Sequence, residues 1–254
     1  MKLQTILNRL QKLHPKEIDL SLDRVKNLCN KLGNPQKDLK YISVVGTNGK
    51  YSTIQAIRSI LKNANINCNI YTSPHIQKIN ERFIFNDEEI SDDKLSDLLE
   101  EVENVNNGEQ ITYFEILTAA YFYNASKFKD KINIIESGLF HRFDATNIID
   151  TNLSSIVTSI GLDHLDWLPE NERNIEKIVY EKTSSLLNST IVVSKQSSDE
   201  TLNLIKKTIN NNQSKKIIYK DDFNYSLSEN SFIYYEDVYG LSLIHISEPT
   251  RQDR

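Results

Sequence analysis

Apolar residues recur at helical spacing over residues 2–13 and again over 20–32, and Pro15 interrupts the chain between them. Tyr41-Ile42-Ser43-Val44-Val45 is a short run rich in β-branched residues and predicts a strand. Residues 52–61 read as a helix that places Ile54, Ile57, Ile60 and Leu61 on one face. Cys68-Asn69-Ile70-Tyr71 is the next strand, and helices follow at 91–105 and 114–127. Ile132 to Ile135 and Ser155 to Thr158 have the character of buried strands. A helix near 174–187 and a strand at Ile191-Val192-Val193 complete the regular part. Strands alternating with helices require crossover connections, so the fold class is α/β: a mostly parallel sheet flanked by helices.

The end of the chain behaves differently. From Phe223 to Tyr239 the pattern is short, aromatic and strand-like, with no strong helix after it. The string Leu241-Ser242-Leu243-Ile244-His245-Ile246-Ser247-Glu248-Pro249-Thr250-Arg251 resembles the conceptual translation of a transposase sequencing adaptor, and it is set aside from fold reasoning. His245 is accordingly assigned to no site. The expected organisation is one domain over residues 1–240, incomplete at its end, a non-native tail over 241–254, and no C-terminal second domain.

Composition narrows the class. A chain of 254 residues can bury one large core or two modest ones. A hydrophobic fraction of 39% and a charged fraction of 26% describe an ordinary water-soluble domain. No apolar run approaches the roughly 20 residues needed to span a bilayer, and Met1-Lys2-Leu3-Gln4-Thr5-Ile6 lacks a signal-peptide core. The net charge of −5 argues against nucleic acid as the main partner, while leaving room for a small anion held by a few local groups. The expectation is a monomeric cytoplasmic protein that engages neither nucleic acid nor membrane. Cys29 and Cys68 show no metal-ligand or redox spacing and read as buried free thiols.

The strongest local signal is Val45-Gly46-Thr47-Asn48-Gly49-Lys50-Tyr51-Ser52-Thr53, between a predicted strand and a predicted helix. Backbone N–H groups and a helix N-terminus at such a junction favour anions. Gly46 and Gly49 allow a tight turn, Lys50 supplies a point charge for phosphates, and the hydroxyl of Ser52 can meet Mg²⁺. The general P-loop pattern is not matched: it needs glycine where Val44 stands and Ser or Thr where Tyr51 stands. Taken alone, the segment is compatible with ATP binding or with a plain helix-capping turn.

The shortened loop is similar to that of the Mur ligase superfamily, Gly-Thr-Asn-Gly-Lys followed by a small residue and Ser or Thr. Further segments resemble one branch, the folylpolyglutamate synthases and dihydrofolate synthases, in that family's order. They are Ile18-Asp19-Leu20-Ser21-Leu22-Asp23-Arg24 with Leu32-Gly33-Asn34-Pro35, Tyr71-Thr72-Ser73-Pro74-His75 with Asn80-Glu81-Arg82, and Thr112-Tyr113-Phe114-Glu115. Asp144-Ala145-Thr146-Asn147, Thr158-Ser159-Ile160-Gly161-Leu162-Asp163-His164 and Glu181-Lys182 follow. The resemblance covers roughly residues 18–200. It implies a ligase that joins L-glutamate to dihydropteroate or folate at the expense of ATP. The carboxylate attacks the γ-phosphate, and glutamate then attacks the acyl phosphate.

By resemblance, Gly46, Thr47, Asn48, Gly49, Lys50, Ser52 and Thr53 would hold ATP, and Ser52, Glu136 and His164 would ligate Mg²⁺. Lys50, His164 and Lys182 would be catalytic, Lys182 matching a family lysine that CO₂ carbamylates. Pro74, His75, Arg82, Phe114 and Asp144 would face the pteroate. Read from the residues alone, Glu136 is equally an exposed loop carboxylate, His164 a turn or core histidine, Lys182 a solvated helix residue and Phe114 a core side chain. Three departures stand out. Tyr51 occupies a small-residue position, and Ser137-Gly138-Leu139-Phe140-His141-Arg142 carries Phe140 and His141 where the family usually has glycines. If those two positions require positive φ, the substitutions strain the loop or alter specificity. A muropeptide-type Mur ligase and a non-catalytic nucleotide-binding relative are the alternative readings.

Overall fold

The computed structural model describes residues 2–14, 19–228, 231–236 and 240–245, with side chains as far as Tyr225. Pro15, Ile18 and residues 246–254 lie outside that set. Helices α1 (Lys2–Leu10) and α2 (Asp23–Lys31) precede strand β1 (Lys40–Val45), which runs into α3 (Lys50–Asn63) and then β2 (Cys68–Tyr71). A small hairpin, β3 (Phe83–Phe85) and β4 (Glu88–Glu89), leads to α4 (Asp92–Asn106) and α5 (Tyr113–Ala125). Then come β5 (Ile132–Glu136), β6 (Ser154–Val157), α6 (Ile175–Thr183), β7 (Thr190–Val193), α7 (Asp199–Ile209) and β8 (Lys216–Ile218). The last strands are β9 (Phe223–Ser228), β10 (Ser231–Glu236) and β11 (Gly240–His245).

Helix starts follow local chemistry. Ser91, Asn174 and Ser198 each accept an N–H from the first turn of α4, α6 and α7. Thr112 and Glu115 close a reciprocal capping box at the start of α5.

The main sheet has eight strands in the order β4-β3-β2-β5-β1-β6-β7-β8. The six strands from β2 to β8 in that order pair in parallel, and β3 and β4 add an antiparallel edge. The mostly parallel α/β class expected from the alternating pattern is therefore correct. Alternation along β1 sends Tyr41 and Val45 to one face and Val44 to the other. On the first face, α1, α2, α4 and α5 pack over Tyr41, Tyr71, Phe83 and Ile135, while α6 and α7 pack over Val45, Val157 and Ile191. On the second face Ile54 of α3 meets Val44, Ile70 and Ile134. β1 lies between β5 and β6, so the chain leaves the sheet's centre in both directions from it. A crevice at the C-terminal ends of the strands is the expected ligand position at such a reversal.

Several sequence expectations need correction. Ile60 is 68% exposed and does not share the buried face of α3, whose contacts with the sheet come from Ile54, Ile57 and Leu61. The helix expected near 174–187 ends at Thr183. The hairpin β3–β4, helix α7 and strand β8 were not anticipated. The strand-like reading after Phe223 matches β9 and β10, and residues 240–245, of which 241–245 were set aside from the fold, pair antiparallel with β10 as β11. Leu241-Ser242-Leu243 has the period of two that suits a strand, whatever its resemblance.

A buried polar link joins the strands. The Asn133 carbonyl on β5 accepts from the Asn69 amide (3.1 Å) and the Tyr121 hydroxyl (2.9 Å). Asn133→Leu would strand both donors in the core. It should lower stability in urea unfolding by about 2–6 kcal/mol, from about 1–3 kcal/mol for each of the two orphaned groups. Tyr121→Phe, which removes one donor, should cost appreciably less.

Candidate active site

The site is built where β1, β5 and β6 end together. Gly46, just past β1, has φ of +149°, and a Cβ placed there would come within 2.0 Å of the Thr158 hydroxyl. Only glycine lets the two segments touch. The Thr47 and Asn48 N–H groups both donate to the Ser159 carbonyl, at 2.9 and 3.0 Å. The Thr47 hydroxyl donates to Gly161 O and accepts from Gly161 N, at 3.2 and 3.1 Å. These two residues brace the loop against the segment after β6. Gly49, at φ of +84°, turns the chain into α3, whose first N–H groups have no acceptor within the helix.

Lys50 opens α3 and lines a cavity of about 480 Å³. Its ammonium donates to the Gly46 and Thr47 carbonyls, both at 3.2 Å, and lies 3.7 Å from Glu136 Oε1. Glu136 ends β5 and accepts the Ser73 N–H on Oε2 at 3.1 Å. Burial raises the Glu136 pKa, against the lowering effects of the Ser73 N–H and Lys50. Lys182 of α6 sits beneath the loop, donating to Gly46 O at 3.2 Å and Leu139 O at 2.8 Å.

His164 lines the same cavity at a left-handed turn (φ of +56°), its Nε2 3.3 Å from Asp163 Oδ2. Burial lowers its pKa, leaving the neutral ring favoured. The wall of the cavity also includes Pro74, Arg82, Phe114, Phe143 and Asp144. Phe114 stacks near Tyr71, with centroids 6.1 Å apart, so it belongs both to the core edge and to the cavity wall. Asp144 accepts the Gly138 N–H at 2.8 Å and the Thr146 N–H at 3.0 Å, while burial pushes its pKa up.

Of the residues singled out from the sequence, Lys50, Pro74, Arg82, Phe114, Asp144 and His164 share this one cavity, with Glu136 joined to it through Lys50 and Ser73. Ser52 and His75 are not part of the wall. His75 instead takes the Arg82 Nε–H on Nδ1 at 3.0 Å, holding the guanidinium from behind. Tyr51 is 54% exposed and stays out of the cavity. The strain expected at Phe140 and His141 is absent: neither has positive φ. Both side chains are buried, Phe140 in the core beside Val45 and Ile178, and His141 on the Ser137 hydroxyl at 2.9 Å. Burial and the Lys182 charge lower the His141 pKa to about 4, so the ring is neutral.

Ser73, Asp163 and Glu115 were not assigned to the site from sequence, although all three line it. Ser73 and Asp163 adjoin assigned residues, and Glu115 was legible as the partner of Thr112 in a Thr-x-x-Glu capping box. Its Oε2 takes the Thr112 N–H at 2.8 Å and Arg24 Nε–H at 3.0 Å. Its Oε1 is buried with no hydrogen-bond partner among the described residues.

No family model matches the chain. Among curated proteins, the dihydrofolate synthase/folylpolyglutamate synthase of Haemophilus influenzae is 36% identical over 176 residues, 69% of this chain and 39% of the relative. Its Bacillus subtilis counterpart is 38% identical over 192 residues, 73% of this chain and 44% of the relative. Among solved structures, E. coli FolC in complex with DHPP and ADP superposes with a TM-score of 0.83 at 30% identity, covering 94% of this chain and 56% of that one. The Yersinia pestis bifunctional folylpolyglutamate synthase/dihydrofolate synthase, complexed with AMPPNP and Mn ion, gives 0.81 at 28% identity, covering 95% and 57%. The chain thus spans less than half the length of these curated relatives. By sequence and by fold, it belongs to the dihydrofolate synthase/folylpolyglutamate synthase family.

Proposed function

We propose that this chain is the ATP- and pteroate-binding part of a ligase that adds L-glutamate to dihydropteroate or folate through an acyl phosphate. One observation carries the reading. Lys50, at the end of the loop that starts at Gly46, lines the same cavity as Phe114, Asp144 and Arg82, so a nucleotide γ-phosphate and the carboxylate of an aromatic ligand would meet in one cavity. That juxtaposition is what phosphoryl transfer to a carboxylate requires.

The residues divide the work. Lys50 would exchange its loop carbonyls for phosphate oxygens, and the free N–H groups of α3 would support them. Phe114 offers a ring face to a pterin, with Asp144 as an acceptor for ring N–H groups. Arg82, held by His75, is a donor for a carboxylate or ring oxygen.

A divalent ion fits this donor set. Among the described residues no three His, Cys, Asp or Glu side chains converge to hold a metal. Mg²⁺ needs no such cage, because one or two carboxylates plus phosphate oxygens and water suffice. Glu136 is a buried carboxylate with a raised pKa, beside Lys50 and the Ser73 N–H. Glu136 and His164 would hold the ion, with Ser73 placed better than Ser52 to supply a hydroxyl. When bound, the ion would neutralise charge on the transferring phosphoryl group.

Calorimetry with Mg-ATP and with dihydropteroate tests the reading, and a folded protein that binds neither overturns it. Lys50→Ala should weaken Mg-ATP by about 1.5–3 kcal/mol while sparing dihydropteroate. Phe114→Ala should do the reverse, costing dihydropteroate about 1–2 kcal/mol.

Glu136 also ties function to stability. Its folded pKa is raised above 4.5, so its stabilising contribution is full below that value and lost as pH rises through the folded pKa. At neutral pH the ionised side chain opposes the ligand-free fold. Glu136→Gln should therefore raise the thermal midpoint of the free protein at pH 7 while lowering Mg-ATP affinity. A lowered midpoint would refute the burial argument.

A further inference from the structure

Asp19, Leu20 and Ser21 have no regular structure, yet all three line the cavity. With neither a ladder nor a helix to hold it, such a segment depends on other bonds for its position. Arg24, in the first turn of α2, supplies them. Its Nη2 donates to the Asp19 carbonyl at 2.7 Å, Nη1 to Asp19 Oδ2 at 2.8 Å, and Nε to Glu115 Oε2 at 3.0 Å. The Asp19 carbonyl also takes the Ser21 N–H at 3.0 Å, and the Ser21 hydroxyl takes the Asp23 N–H at 3.1 Å, closing a tight turn into α2. His14 Nε2 stands 3.6 Å from the Asp19 oxygen that Arg24 holds.

Glu115 is the far anchor. It sits in the first turn of α5, 3% exposed, and its Oε2 also holds the Thr112 N–H at 2.8 Å. Thr112, Tyr113, Phe114 and Glu115 all belong to the cavity wall. One guanidinium therefore joins two stretches of wall whose anchors, Arg24 and Glu115, are 91 residues apart in sequence. Arg24 itself is not part of the wall. A planar fork has donors fixed on separate edges and can hold two partners at a set angle, which a point-like ammonium cannot.

We infer that Arg24 is a positioning residue for the aromatic ligand: it sets the spacing between the 19–21 turn and the start of α5, and with it the shape of the cavity beside Phe114. It acts through Asp19 and Glu115 and touches no ligand. The inference rests on the proposed binding of dihydropteroate in this cavity. An ion pair that merely stabilised the fold would give a different pattern, because its loss would affect both ligands alike.

Arg24→Lys keeps the charge and removes the fork. In calorimetry it should bind dihydropteroate about tenfold more weakly, the worth of one charge-assisted bond, with Mg-ATP affinity unchanged. Residue-resolved hydrogen exchange of the ligand-free chain should quicken at Ser21 and Thr112, whose N–H bonds the brace supports, and stay as it is at Thr47 and Asn48. Should Arg24→Lys not fold, Asp19→Ala leaves Arg24 on Glu115 and should quicken Ser21 while sparing Thr112. Native dihydropteroate affinity in Arg24→Lys, an equal loss for both ligands, or unchanged exchange at Ser21 in either variant overturns the inference. If the native chain binds no dihydropteroate, the ligand reading fails and the role drawn from it falls too. Exchange at Ser21 and Thr112 then still decides whether Arg24 holds the two segments together.

Discussion

Gly46 and Thr158 approach so closely that no side chain can stand between them, and both the Thr158 N–H and its hydroxyl donate to the Val45 carbonyl, at 2.8 and 3.1 Å. This contact ends β1 and fixes the direction in which the chain leaves it. Because the loop turns here, Thr47 and Asn48 can share the Ser159 carbonyl, and Lys50 begins α3 beside the end of β5. The Gly46 carbonyl faces inward, where Lys50 and Lys182 both reach it. Two lysines and Glu136 are thus arranged around a backbone feature that a single methyl group would prevent.

The charged groups in this region are held against their own preferences. Burial pushes Glu136 and Asp144 towards the protonated acid and Lys182 towards the free amine. Each charged form is disfavoured by loss of water, and only a few hydrogen bonds and neighbouring charges offset it. Perturbation of several groups in one cleft is a mark of sites organised for a ligand. By contrast, the Arg142–Glu181 pair, with two contacts at 2.8 and 2.7 Å, is fully matched and holds α6 to the segment after β5.

Periodicity made the central architecture legible, because Tyr41 to Val45 and Ile132 to Ile135 are short runs rich in Ile and Val, each with a single polar residue, as suits strands covered on both faces. It did not reveal Phe83 to Phe85, a three-residue strand too short to carry a period, or Ile60, whose helical spacing fits either side of a boundary. Helix α7 carried a readable signal in Ser198-Asp199-Glu200 ahead of Leu202 and Ile205, but its cap is a weaker cue than a long apolar stripe. Around the cavity, motif order singled out Lys50, Asp144 and His164, which line it, and Glu136, which stands beside Lys50. It assigned the metal hydroxyl to Ser52, while the serines that line the cavity are Ser21 and Ser73. The apparent damage at Phe140 and His141 came from comparing residue types without knowing φ. Both adopt ordinary backbone angles, and the space beside them is filled by core and by the Ser137 hydroxyl.

The strand order has a kinetic side. β1 hydrogen-bonds to β5 and β6, whose first partners lie roughly 90 and 110 residues further along the chain, whereas β2, its successor, is not its neighbour. A folding chain must keep a gap between β1 and β2 until β5 arrives to fill it. Contacts of such long sequence separation incur loop-closure entropy before they return any stabilisation, which slows the search. Glu136 ends the inserted strand and Thr158 follows β6, so the Gly46–Lys50 loop meets its carboxylate and its bracing wall only once strands from far along the chain have joined β1.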